Sequence, residues 1–113
     1  MNQSKRSPNH IHLIGIGGSG MSGIAEVLHN LGYVVSGSDI SQTSVTERLT
    51  TLGIKIENNH NPLNVRSADM VVISSAIDEN NEELQEAKKL LLPVLSRAEL
   101  LSSLMNMKRG IAV

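Results

Sequence analysis

The stretch His10-Ile-His-Leu-Ile-Gly15-Ile-Gly-Gly-Ser-Gly-Met21 decides how the chain is to be read. Residues 11–16 are mostly apolar and do not alternate. A strand with one wet face would show period two, so this run predicts a strand covered on both faces, as in a parallel sheet. Gly15-Ile16-Gly17-Gly18-Ser19-Gly20 follows at once as G-x-G-x-x-G. Behind it Met21, Ile24, Ala25, Leu28 and Leu31 recur at helical spacing, and Gly32 stands where a helix stops. Strand, glycine turn and helix in that order suit an anion. Glycines let the backbone approach a pyrophosphate closely, and the helix start offers free N–H groups with about half a unit of positive charge.

Working outward, the alternation repeats. Residues 33–36 read as a second strand. Ser44 and Glu47 read as a capping box before a helix with Val45, Leu49 and Leu52 inward and Gly53 ending it. Ile54 and Ile56 mark a third strand, 57–64 a polar loop and 70–74 a fourth strand. Asn80 is the expected cap of a helix with Leu84, Ala87, the Lys88 stem and Leu91 inward. Residues 93–95 form a fifth strand with Pro93 first, where the missing N–H costs least. Ser96 and Glu99 make a further capping box, opening a helix with Leu100, Leu101, Leu104 and Met107, with Lys108 and Arg109 in its last turn. Residues 110–113 look like the start of a sixth strand. This pattern predicts an α/β fold, a Rossmann-like doubly wound parallel sheet of about five strands with helices on both faces. Residues 1–9 are expected to be a loose tail and 10–113 one domain.

Bulk properties narrow the function. With 113 residues there is room for one domain, and Tyr33 is the sole aromatic, so the core is aliphatic. A net charge of −1, a single short basic pair (Lys5, Arg6) and almost no stacking side chains argue against a nucleic-acid partner. No signal-like or membrane-spanning run is visible, so no membrane partner is expected and a cytoplasmic setting is. Cysteine is absent, which excludes disulfides and thiolate metal sites.

Asp39 ends the second strand nineteen residues after Gly20, where a ribose-binding acid belongs in a dinucleotide site. The bland alternative is a glycine turn that serves packing alone. A phosphate-bearing nucleotide is the stronger reading, and the residues by themselves leave NAD and a UDP-sugar both open. G-x-x-x-x-G-K-[ST] does not occur. His10 and His12 sit two apart but lack a third ligand, which makes them structural. His29 is read as solvated, and His60 falls in a loop on the ligand-binding edge. Ser74, Ser75, Ala76 and Ile77 follow the fourth strand on that edge. Glu82, Glu83 and Glu86 read as a solvated helix face. No nucleophile–base pair or carboxylate pair is present, so no catalytic residue is assigned.

HIHLIGIGGSGMSGIAEVLHNLGY at 10–33, GSD at 37–39, SSAI at 74–77 and SRAELLSSLM at 96–105 resemble, in order and spacing, the N-terminal domain of the Mur ligase family. The resemblance is to its alanine-adding branch and runs over 10–113. The tripeptide-adding branch carries Cys and bulkier residues in the glycine loop, whereas this loop reads Gly17-Gly18-Ser19-Gly20. The resemblance implies an ATP-dependent carbon–nitrogen ligase of peptidoglycan synthesis with three domains. The first binds UDP-N-acetylmuramate, the second ATP and Mg2+, and the third helps admit L-alanine. ATP phosphorylates the muramate carboxylate and the amine attacks the acyl phosphate. In such proteins the phosphate loop for ATP follows a strand like 110–113, so the chain would stop just before the ATP domain. Carried over position by position, Gly15, Gly17, Gly18, Ser19, Gly20 and Met21 match the loop that holds the UDP diphosphate. Ser38 and Asp39 match the end of the second strand near the ribose. His60, Ser74, Ser75, Ala76 and Ile77 match segments along the uridine. Arg97 falls in a matching Arg-Ala-Glu segment without an assigned ligand contact.

Overall fold

The unalternating apolar run is paired on both sides. In the computed structural model, which describes residues 9–112 and the side chains of 9–104, β1 (His10–Ile14) lies between β2 (Val34–Ser38) and β4 (Met70–Ile73). β3 (Lys55–Glu57) extends the sheet beyond β2 and β5 (Val94–Ser96) beyond β4, giving the order β3-β2-β1-β4-β5 with every pair parallel. Helices α1 (Met21–Asn30), α2 (Ser44–Thr51), α3 (Glu82–Lys89) and α4 (Arg97–Ala112) join the strands, with a 3-10 turn at Pro62–Val65.

The side-chain alternation of β1 divides the core in two. Ile11 and Leu13 face α1, α2 and Leu100 of α4, with Ile24, Ala25, Leu28 and Leu49 among the buried partners. Ile14 faces the other way, onto Leu84 and Ala87 of α3 and Val65 of the 3-10 turn. Helices therefore cover both faces. Each fully buried Leu or Ile contributes roughly 1.5–3 kcal/mol of transfer free energy, so β1 is the main anchor of the sheet. The order of strands reverses between β1 and β4, and in such sheets the crevice outside the strand carboxyl ends is where ligands bind.

Several local expectations shift. The cap of α2 is Thr43, not Ser44: its hydroxyl accepts from Thr46 N–H and the Thr46 hydroxyl accepts from Thr43 N–H. Thr43 holds the extended angles of a cap residue, while Ser44 is already the first residue of the helix. Val45 and Leu52 are consequently exposed, and Leu49 alone carries the apolar face. Asn81 rather than Asn80 caps α3, accepting from Glu83 and Leu84 N–H. Leu91 leaves the chain at φ 61° and is exposed, and Lys88 is exposed too, so the buried face of α3 is Glu83, Leu84, Glu86 and Ala87. The Ser96–Glu99 capping box forms as expected, at 2.8 and 3.1 Å. No strand forms over residues 110–112, because α4 runs through them. A helix closes its hydrogen bonds within itself, and Gly110 costs it only about 1 kcal/mol, whereas a strand needs a neighbour. Of the expected tail, residues 1–8 lie outside the described residues, as do Val113 and the side chains of Met107, Lys108 and Arg109. Among the described residues no helix is long and apolar enough to cross a membrane.

Candidate functional site

The glycine loop is held from below by β2. Gly15 and Ile16 N–H both donate to Ser38 O, at 2.8 and 3.1 Å, and Gly17 N–H donates to Asp39 Oδ2 at 2.9 Å. The other Asp39 oxygen accepts from Ser41 N–H. Gly15 and Gly20 adopt φ of +81°, which only glycine takes up without strain. Gly18 N–H is turned inward onto Gly15 O at 3.0 Å, and Met21 N–H onto Gly18 O. Among the described residues, Ser19 and Gly20 N–H have no protein acceptor. The start of α1 carries no side-chain cap and no acidic residue in its first turn. Open N–H groups and an uncompensated dipole at one helix start favour an anion there.

Two further loops converge on this point. The 74–77 turn packs under Gly15: a Cβ there would lie 3.1 Å from Ser74 Cβ and 3.3 Å from Ile77 Cδ1. Its turn is closed by Ile77 N–H to Ser74 O and by Ala76 N–H to Ser74 Oγ. From the start of α4, the Arg97 guanidinium lies against Gly20, with Nη1 2.6 Å from where a Cβ would stand. Together Ser19, Met21, Ser74, Ser75, Ser96 and Arg97 line a cleft of about 430 Å³ at the carboxyl edge of β1, β4 and β5. Arg97 makes no ion pair among the described residues, so its charge is available to an anion in that cleft. Sequence reasoning named this residue but gave it no role. Its position became legible only when the order of the strands put β5 next to β4.

Ser38 and His60 meet elsewhere. Ser38 Oγ is fully buried, 3.0 Å from His60 Nδ1 and 2.7 Å from Glu83 Oε1. His60 is not part of the cleft lining but stands on the β2 side, against Ser38. Glu83, expected on a solvated face, is buried and takes four donors. Oε1 accepts from Ser38 and from His12 Nε2 (2.7 Å), and Oε2 accepts from Asn61 N–H (3.0 Å) and Asn64 Nδ2 (2.7 Å). Burial pushes its carboxyl pKa up, but the bonds from His12, Asn64 and Ser38 outweigh that and hold it below the ordinary glutamate value. Glu86 is buried as well and pairs with Arg66 at 3.1 Å. The reason the expectation failed is positional. Glu83 is four residues before Ala87 and shares its inward face, and a glutamate there is tolerable only because the polar 57–64 loop supplies donors.

His10 and His12 both bond to Ser36 Oγ, at 2.8 and 2.7 Å. Among the described residues no three His, Cys, Asp or Glu side chains are grouped to hold a metal. His29 is half-buried and lies beside the Gly53 turn.

Residues 10–109 match the family described as Mur ligase family, catalytic domain. A UDP-N-acetylmuramate–L-alanine ligase of Acidithiobacillus ferrooxidans is 60% identical over 103 residues, which are 91% of this chain and 22% of that protein. The solved UDP-N-acetylmuramate-alanine ligase of Thermotoga maritima superposes with TM-score 0.82 at 33% identity, over 87% of this chain and 23% of its own. A UDP-N-acetylmuramate:L-alanyl-gamma-D-glutamyl-meso-diaminopimelate ligase of Neisseria meningitides gives 0.78 at 30% identity, over 86% and 31%. The chain thus spans between a fifth and a third of the length of these proteins.

Proposed function

The chain belongs to the Mur ligase family, and from that premise we propose that it is the UDP-N-acetylmuramate-binding part of an ATP-dependent ligase that joins L-alanine to this sugar nucleotide in cytoplasmic peptidoglycan synthesis. The observation that carries the reading is the convergence at Gly20. Open Ser19 and Gly20 N–H groups, the uncapped start of α1 and the Arg97 guanidinium all address one point. A diphosphate fits that point by charge and by the close backbone approach that glycine permits. Asp39, which braces the loop, has lone pairs left for ribose hydroxyls; the nucleoside side falls, in this reading, to His60 and the 74–77 turn, with Ser38, which is fully buried, behind His60 rather than in contact with ligand.

The residues of this chain do not fit ATP with Mg2+. They contain no phosphate loop with its lysine and hydroxyl, so no step of the ligation is derived from them. ATP, Mg2+ and L-alanine fall, in this reading, to other parts of the ligase. What this chain contributes is binding: it fixes the nucleotide so that the muramate carboxylate is presented beyond the cleft. The direct test is parallel calorimetric titration with UDP-N-acetylmuramate, UDP and NADH. The sugar nucleotide and UDP should bind, with UDP retaining affinity to within about a hundredfold (under ~3 kcal/mol), and NADH should not. Binding of NADH alone would point to an oxidoreductase module, and binding of none of the three would end the nucleotide reading.

A further inference from the structure

Proton accounting around the buried carboxylate fixes something that the positions alone do not. Ser38 has one hydroxyl proton, and at 2.7 Å it is committed to Glu83 Oε1, since a carboxylate only accepts. The bond of 3.0 Å between Ser38 Oγ and His60 Nδ1 must then be donated by the histidine. A neutral ring with its proton on Nδ1 has a lone pair on Nε2. The Nδ1 edge is turned toward Ser38 and Glu83, both wholly buried, which leaves Nε2 on the edge facing away from them, in a side chain that is one-fifth exposed.

We propose that Glu83 is a positioning residue for the nucleoside end of the site: through Ser38 it holds His60 as the Nδ1–H tautomer and so presents Nε2 as an acceptor for an N–H or O–H of the nucleoside. This rests on the nucleotide-binding reading above. The matching donor is either the N3–H of uracil, the only ring donor of that base and one that cytosine lacks, or a ribose hydroxyl. The carboxylate is suited to the task because the two contacts of its Oε2 cannot turn round, whereas His12, which meets Oε1 at 2.7 Å, can change tautomer. Asn61 offers a backbone N–H, and Asn64 Nδ2 is kept a donor by its second bond, to Asn59 O at 3.2 Å.

That asymmetry makes Glu83→Gln informative. The amide oxygen must take the place of Oε2, facing the two fixed donors, and the amide NH2 the place of Oε1. It then donates to Ser38, whose proton swings to His60 Nδ1, and the His60 ring proton moves to Nε2; its second proton goes to His12 Nε2, which turns acceptor as His12 carries its proton on Nδ1 toward Ser36 Oγ. Nitrogen-15 NMR of the imidazole, recorded on the ligand-free chain, should show His60 as Nδ1–H in the wild type and Nε2–H in Glu83→Gln. Calorimetry should show UDP weakened by about tenfold or more, while inorganic pyrophosphate, which probes the glycine loop alone, binds as before. The preference of the wild type for UDP over CDP, or over 2′-deoxy- and 3′-deoxy-UDP, should shrink in the variant, and which preference shrinks names the donor. Ser38→Ala, which cuts the link without disturbing the carboxylate's other donors, should weaken UDP similarly and decides the matter if Glu83→Gln does not fold. An Nε2–H tautomer in the wild type, or unchanged UDP affinity and selectivity in both variants, would overturn the proposal. Failure of the wild type to bind UDP would instead overturn the nucleotide reading, and the ligand-free tautomer would still report on Glu83.

Discussion

Replacing Gly37 by alanine tests how tightly β2 is fitted beneath the glycine loop. A Cβ at Gly37 would lie 2.5 Å from Ile16 Cδ1, 2.7 Å from its Cβ and 2.9 Å from its Cγ2. Rotating the isoleucine relieves the first and third contacts but not the second, because Cβ moves only with the backbone. Neither strand segment can yield easily, since Gly37 is in register with Leu13 on one side and Ile56 on the other. Overpacking of this kind costs about 1–3 kcal/mol, and relief of glycine's backbone entropy returns about 0.5–1 kcal/mol. With a contact that no rotamer removes, the upper part of the range applies, a net loss of about 2 kcal/mol. For a domain of this size that lowers Tm by roughly 8–16 °C. Nucleotide affinity should fall with it, because Ile16 lies between Gly15 and Gly17 and would carry the loop outward. Gly23→Ala is the matched control. Nothing lies within 4 Å of its Cβ, it is exposed within α1, and it should gain up to about 1 kcal/mol in helix propensity. Thermal melting of both variants reads the contrast. If Gly37→Ala melted within about 2 °C of wild type, a shift of under half a kcal/mol, the tight seat of Ile16 would be refuted.

Arg97→Ala should weaken inorganic pyrophosphate by about tenfold or more, a charge-assisted bond, and leave melting unchanged; equal affinity in a titration would remove Arg97 from the site. Asp39→Ala removes the acceptor of both Gly17 and Ser41 N–H. UDP affinity should drop about ten- to a hundredfold and Tm should fall too, whereas a binding loss with an unmoved Tm would show that the brace on the loop is idle. The Glu83 carboxyl, held below its ordinary value of 4.5, stabilises the fold above that value and ceases to as pH falls through its folded pKa. Urea unfolding from neutral pH down through pH 4 should therefore show wild type losing more stability than Glu83→Gln, and parallel curves would contradict the shift.

What could be read from the sequence was whatever one segment settles by itself. The unalternating run at 11–16, the glycine turn and four of the five helically spaced positions of α1 need no distant partner to be recognised; the fifth, Leu31, follows the last turn of the helix and is exposed. The five strands follow from the same local periods, within about two residues at their ends. Glu83 and Arg97 were different in kind. A glutamate four residues before Ala87 is inward by geometry, but charge outweighs spacing in a pattern reading, and its donors come from three separate segments. Arg97 gains meaning only where β5 lies beside β4, with the start of α1 within reach. Thr43 and Asn81 displaced the expected caps because two candidate residues stood side by side, and backbone angles, which composition does not reveal, chose between them.

The buried carboxylate also bears on the order in which the chain assembles. Its contacts reach across 71 residues to His12 and 45 to Ser38, with two more in the 57–64 loop. β1, α1 and β2 can form from near neighbours alone, but Glu83 has no reason to leave water until β1, β2, the 3-10 turn and α3 are all in place. If its dehydration follows the rate-limiting step of folding, changes at Glu83 should speed unfolding and leave the refolding rate nearly untouched, which stopped-flow folding and unfolding of Glu83→Gln would read. The same group that sets the orientation of His60 would then act as a latch, the last element to close and the first to open.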